Sequence, residues 1–136
     1  MNKIAHIGIA VKSLDEMIPF YRDVLGLTFN GVEEVSTEQV KVAFFSIGES
    51  NIELLEPLNE QSTIHKFIEK RGEGIHHIAL DVNDIEKRLE TLKNKGVRLI
   101  HEQPKIGAHE SQIAFLHPKA ANGVLIELCE TNQEDQ

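Results

Sequence analysis

Two histidines and two glutamates stand in matching surroundings in this chain. His6 lies in Ile4-Ala5-His6-Ile7-Gly8-Ile9-Ala10-Val11 and His77 in Ile75-His76-His77-Ile78-Ala79-Leu80-Asp81-Val82. Each is followed by a glutamate inside a second apolar run, Glu53 in Ile52-Glu53-Leu54-Leu55 and Glu127 in Leu125-Ile126-Glu127-Leu128, at separations of 53 − 6 = 47 and 127 − 77 = 50. A carboxylate flanked by Ile, Leu and Val inside a strand carries a heavy desolvation penalty unless a cation pairs with it. A lone strand histidine is ordinarily a satisfied structural residue, and a single glutamate can turn to water. That bland account has to hold at four positions of a repeated pattern. Two neutral imidazoles and two carboxylates make a four-ligand set without thiolate, suited to one Zn²⁺, Co²⁺, Mn²⁺, Ni²⁺ or Mg²⁺ ion. A six-coordinate ion would keep two positions for water or for a substrate chelating through two oxygens, which suits Lewis-acid stabilisation of an oxyanion or enolate.

Neighbouring residues are sorted by strand parity. His76 has the opposite parity from His77 and sides with Ile78, Leu80 and Val82, so His77 is the expected ligand and His76 a packing or supporting residue. Cys129 shares parity with Glu127, but nothing beside it suggests an activated thiolate, and it reads as a small buried side chain.

The elements that must position these residues follow from periodicity. In the first strand Ile7, Ile9 and Val11 form the core face, while His6, Gly8 and Ala10 form a face with room above it. Leu14, Met17, Ile18, Tyr21 and Leu25 recur at helical spacing and Gly26 ends the run; Pro19 should make this helix begin nearer Asp15 or kink. Residues Leu27 to Val32, Val40 to Ile47 and Asn51 to Glu56 read as strands between turn signals at Asn30-Gly31 and Gly48-Glu49-Ser50-Asn51, and Ser62 to Arg71 as a linking helix. The second half repeats the order: a strand at the second histidine, a helix with Asn83 and Glu86 as a capping box and Gly96 as its stop, then strands at Val97 to Ile100, Gln112 to Leu116 and Val124 to Cys129. The expectation is an α+β fold of two tandem βαβββ modules forming one curved mixed sheet around a central metal site. The single domain over 1–136 would hold module one at about 1–60, the linker at 61–72, module two at 73–130 and a frayed tail at 131–136.

Composition narrows the function classes. At 136 residues the chain can bury a core without disulfides or a structural metal. A net charge of −8, no basic run, one Tyr and no Trp argue against nucleic acid as a partner. The apolar runs are strand-sized and Met1-Asn2-Lys3 leads straight into a strand, so neither a membrane span nor an export signal is expected. The one cysteine cannot form an internal disulfide, in keeping with a cytoplasmic location.

Several strings are more specific than a strand pattern. The paired His-strand and Glu-strand modules resemble the glyoxalase and vicinal-oxygen-chelate superfamily over essentially the whole chain. More narrowly, Glu56-Pro57-Leu58-Asn59-Glu60-Gln61-Ser62, Gly74-Ile75-His76-His77-Ile78-Ala79, Pro104-Lys105-Ile106-Gly107-Ala108-His109 and Phe115-Leu116-His117-Pro118-Lys119, with Gly123-Val124-Leu125-Ile126-Glu127-Leu128, are similar to the methylmalonyl-CoA epimerase family. The resemblance implies His6, Glu53, His77 and Glu127 as metal ligands, with Co²⁺ the favoured ion. It also implies a CoA thioester substrate, a homodimer, a place in propionate metabolism, and epimerisation at the α-carbon by two-sided proton transfer with Glu127 and Glu53 as acid/base residues. Some family members carry Gln where this chain has Glu53, and some carry an acid on the strand where this chain has Lys41-Val42-Ala43-Phe44, which leaves the second base open. Lys105, His109 and Lys119 would supply positive potential for the CoA phosphates in an otherwise acidic protein. A glyoxalase acting on a glutathione hemithioacetal and a metal-free binding module of the same fold are the competing readings. An extradiol dioxygenase fits less well, since it needs redox iron held by two His and one carboxylate.

Overall fold

The computed structural model describes residues 1–131, so the tail expected to fray lies, from residue 132 on, outside the described residues. The element order is β1 (Lys3–Ala10), α1 (Leu14–Pro19), β2 (Thr28–Val35), β3 (Val40–Ile47), β4 (Ser50–Pro57), α2 (Thr63–Arg71), β5 (Gly74–Asp81), α3 (Ile85–Asn94), β6 (Lys105–Ile106), β7 (Gln112–Phe115) and β8 (Ile126–Glu130). This is an α+β chain with mixed strand pairing. Its contacts group into two compact units, His6–His76 and Met1–Ala5 with the chain from His77 on.

In the first unit the strands run β2-β3-β4-β1, with β1 parallel to β4 and the other pairs antiparallel. Ile9 of β1 and Val11 just after it, with Ala43, Phe45 and Leu54 from the neighbouring strands, pack under Leu14, Met17, Ile18 and Tyr21. Ile9 and Val11 of the expected core face thus enter this core, but Ile7 and Ile9 are only half-buried, and the opposite face, with His6, Gly8 and Ala10, is buried too. Ser13 caps α1, its Oγ accepting from the Glu16 N–H at 3.2 Å. Pro19 has no N–H to give the carbonyl four residues back, and the helix answers by widening. From Phe20 to Val24 it is a π-turn, closed by the Leu25 N–H on the Phe20 carbonyl at 2.9 Å. The helix therefore starts at Leu14 rather than nearer Asp15, and the irregularity falls at the proline.

The second unit repeats the plan. Its order is β5-β8-β7-β6, with β5 parallel to β8 and the first residues of β1 beside β5, where the Asn2 N–H donates to the Asp81 carbonyl at 2.9 Å. Val82, Ala114 and Leu128 form a core under Ile85 and Leu89 of α3. The other face of these strands gathers Ala79, Ile113, Phe115 and Cys129.

Four local expectations are corrected. Asn30-Gly31 is not a turn: β2 runs through it, and the register slips between Phe29 and Val32, so the pair forms a bulge that Gly31, at φ +104°, accommodates. Asn83 does not cap α3. Asp84, in the left-handed region at φ 51°, does so by accepting from the Lys87 N–H. Val97 to Ile100 forms no strand beyond an isolated bridge from Leu99 to Leu116; the edge strand is instead the two-residue β6 at Lys105–Ile106. The last strand begins at Ile126, not Val124.

Candidate metal centre

Each unit builds one histidine–glutamate pair by the same strand geometry. In the first, Gly8 of β1 lies opposite Glu53 of β4, and His6 precedes Gly8 by two residues, which puts it on the same face as the glutamate. His6 Nδ1 comes within 3.1 Å of Glu53 Oε2. In the second unit Ala79 of β5 lies opposite Glu127 of β8, and His77 again stands two residues earlier. His77 Nε2 is 3.5 Å from Glu127 Oε1.

A phenylalanine closes the other side of each glutamate. Phe44 of β3 lies opposite Glu53, and Phe115 of β7 lies opposite Glu127. The Phe115 ring meets His77 edge to face, with centroids 5.4 Å apart and planes at 86°. The small neighbour along the parallel pair and the aromatic wall across the antiparallel pair keep the donor atoms in a dry setting.

All four side chains are buried, His6 at 7%, Glu53 at 8%, His77 at 5% and Glu127 at 4% exposure. Burial pulls the His6 imidazolium down to about 4, so at neutral pH its ring is uncharged and keeps a lone pair to give. Burial, and after it the charge of Glu33, pushes the Glu53 carboxyl up to about 8. At neutral pH the Glu53 carboxyl therefore holds a proton, which satisfies its 3.1 Å contact with His6 Nδ1; a divalent cation held by the two would take that proton's place. Buried neutral imidazole next to buried carboxylate is the donor chemistry of borderline and hard divalent ions, so the residues fit the group the sequence implies.

The remaining expected residues fall as follows. The His76 and Phe67 rings meet edge to face, 5.0 Å apart at 87°, and burial lowers the His76 imidazolium to about 4. Cys129 is buried in the apolar cluster with Ala79 and Phe115. Lys105 opens β6, opposite Ile113; His109 stands in a 3₁₀ turn at Ala108–Glu110 with a left-handed backbone; Lys119 lies in the 3₁₀ turn Pro118–Ala121, its N–H on His117 Nδ1. These three lie on the segments before and after β7. The loop carrying His109 is held close by Gly107, where a Cβ would come within 2.9 Å of Ile113 Cγ2.

A second pair of glutamates, not among the expected site residues, supports the first. Glu56 Oε1 accepts from the Leu14 N–H at 3.0 Å, and the Glu130 carboxylate accepts from the Asp84 and Ile85 N–H groups at 2.7 and 3.0 Å. Each ties the first turn of a helix to the strand that carries a site glutamate, and each favours that helix end electrostatically. The signal was the repeated Glu-x-x-Glu, 53/56 and 127/130, whose odd offset sends one acid to each face of the strand.

Comparison with known proteins gives the family. Residues 5–115 match the Glyoxalase/Bleomycin resistance protein/Dioxygenase superfamily. The chain is 47% identical to the uncharacterised protein YqjC of Bacillus subtilis (strain 168), over 96% of this chain and 93% of that one. It is 40% identical to the ethylmalonyl-CoA/methylmalonyl-CoA epimerase of Cereibacter sphaeroides, over 94% of this chain and 97% of that one. A solved structure of methylmalonyl-CoA epimerase in complex with methylmalonyl-CoA and NH4+ superposes with a TM-score of 0.93 at 37% identity, covering 98% of this chain and 96% of that one. Its fold is glyoxalase-like, and the chain belongs to the glyoxalase superfamily and, within it, to the methylmalonyl-CoA epimerase family.

Proposed function

We propose that this enzyme interconverts (2R)- and (2S)-methylmalonyl-CoA and depends on one divalent ion held by His6, Glu53, His77 and Glu127. The observation that carries the reading is the pair of buried histidine–glutamate contacts built by one strand geometry in both units. The relatives' names supply the substrate class, a CoA thioester. When bound, the ion would stabilise negative charge gathering on substrate oxygen as the α-proton leaves.

The α-carbon of methylmalonyl-CoA lies between a thioester carbonyl and a carboxylate, and both make its proton acidic. Epimerisation needs one group to take that proton from one face and another to return a proton to the opposite face. Glu127 is the residue we assign to the first task and Glu53 the one we assign to the second, because the repeat places them equivalently. Phe44 and Phe115, each opposite a glutamate, would keep water from competing for the proton. Lys105, His109 and Lys119 would receive the CoA phosphates.

The test is turnover before and after metal stripping, followed by reconstitution with Co²⁺ or Mn²⁺, on methylmalonyl-CoA and on a glutathione hemithioacetal side by side. The proposal expects metal-restored epimerisation of the CoA ester. Turnover of the hemithioacetal alone would make the chain a glyoxalase instead, and undiminished epimerisation after rigorous stripping would remove the ion from the reaction.

A further inference from the structure

We infer that His101 is a positioning residue for the His77–Glu127 pair and acts through Phe115; the inference rests on the reading of that pair as part of a metal centre. The outer partner of β7 is short. β6 covers only Ile113 and Gln112, so the ladder has ended before Phe115 is reached. A strand residue there would normally offer a carbonyl to the Phe115 N–H and an N–H to its carbonyl.

The segment before β6 replaces both. The Phe115 carbonyl accepts from the Ile100 N–H at 2.9 Å and from the His101 N–H at 3.3 Å. The Phe115 N–H donates to the side chain of His101, at Nδ1, 3.1 Å away. An imidazole nitrogen thus does the work of a missing strand carbonyl, and the ring itself leans on the Phe115 ring at 5.9 Å between centroids. An accepting Nδ1 carries no proton, so His101 serves as the neutral tautomer protonated at Nε2.

Phe115 is the residue that meets both members of the pair. It is the strand partner of Glu127, and its ring abuts His77 edge to face. Loss of the Nδ1 acceptor frees the end of β7 at a residue that stands in register with the glutamate and whose ring abuts the imidazole. Supports of this kind, one shell beyond a ligand, tune how well the ligands bind.

The experiment compares full-length wild type, His101→Leu, which keeps bulk without an acceptor, and His101→Asn, whose Oδ1 can replace Nδ1. Three quantities are read: amide exchange at Phe115, Co²⁺ dissociation constant, and kcat separately from KM. For His101→Leu we expect Phe115 exchange to quicken, Co²⁺ to bind about 10-fold more weakly and kcat to fall more than KM changes, with His101→Asn recovering most of each loss. Unchanged Co²⁺ affinity in His101→Leu, or no recovery in His101→Asn, overturns the inference. Should His101→Leu fail to fold, ¹⁵N spectra of the wild-type imidazole decide: the Nε2–H tautomer with Nδ1 accepting supports the role, and the opposite tautomer ends it. A wild type that binds no Co²⁺ defeats the metal reading instead, and the shift of the His77 ring resonances in His101→Leu still judges whether His101 sets that ring.

Discussion

The two units agree at their inner strands and part at their edges. Both set a small residue opposite the site glutamate on the parallel side and a phenylalanine on the antiparallel side, Gly8 and Phe44 in one, Ala79 and Phe115 in the other. Outside that phenylalanine the first unit has an eight-residue strand, β2, whose bulge at Asn30-Gly31 falls opposite Phe44. The second has a two-residue strand and a histidine side chain in place of the missing rung. The edges also differ in charge. Glu33 of β2 adds its charge to the burial that pushes Glu53 up, whereas the second unit's outer segments carry Lys105, His109 and Lys119. Duplication has kept what the buried pairs require and left the edges free to differ, so the two glutamates are alike in placement and unlike in surroundings.

The largest effect should come from making the two glutamates chemically unequal. Glu127→Gln keeps an oxygen donor while removing the basic lone pair, and we expect epimerisation to fall by ~10² to 10⁴ with metal retained. Exchange of the α-proton with deuterated solvent, followed from each epimer separately, should then be lost from one epimer and persist from the other, and the same measurement on Glu53→Gln should show the reverse. Near-normal epimerisation by metal-replete Glu127→Gln would break the comparison and move the search for both bases to Glu53 and His109.

Stability should separate the helix tethers. Glu130 receives two N–H groups where Glu56 receives one, so Glu130→Ala should lower unfolding stability by about 2 kcal/mol and Glu56→Ala by about 1 kcal/mol. Urea unfolding of both variants checks the order; equal losses would mean that the second hydrogen bond at Glu130 adds nothing.

A smaller effect tests the charge at the edges. Lys105→Ala with Lys119→Ala should raise KM for the CoA ester several-fold at low salt and less at high salt, as screening predicts. A KM unchanged at every ionic strength would make them ordinary surface charges.

The site was more legible in the sequence than the edges, and for a physical reason. A carboxylate amid Ile and Leu is conspicuous because nothing local explains it, and strand parity separates His77 from His76, which sides with Ile78, Leu80 and Val82. The inner strands were equally plain, since period two is a local property. Asn30-Gly31 was misread because a glycine with positive φ serves a bulge as well as a turn, and only the partner strand decides between them. Val97 to Ile100 has strand-forming side chains but exchanges hydrogen bonds with Phe115 and His117 around an isolated bridge from Leu99 to Leu116, without a continuous ladder, which no local pattern encodes. Pro19 was recognised as an irregularity; that the helix would widen into a π-turn rather than start late depended on Ser13 holding the first turn. The His101 contact was invisible because it joins a side chain to a backbone N–H fourteen residues away.

The central claim is that the two pairs serve one ion. Titration of the stripped protein with Co²⁺, read by calorimetry and by the cobalt absorption bands, measures this directly in wild type, His6→Ala and His77→Ala. The account predicts one Co²⁺ per chain in wild type and a severe loss of affinity in either variant, since removing a ligand from one unit should disable the whole site. Two ions per chain, or one ion still bound tightly after His6→Ala with only the other pair intact, would contradict it.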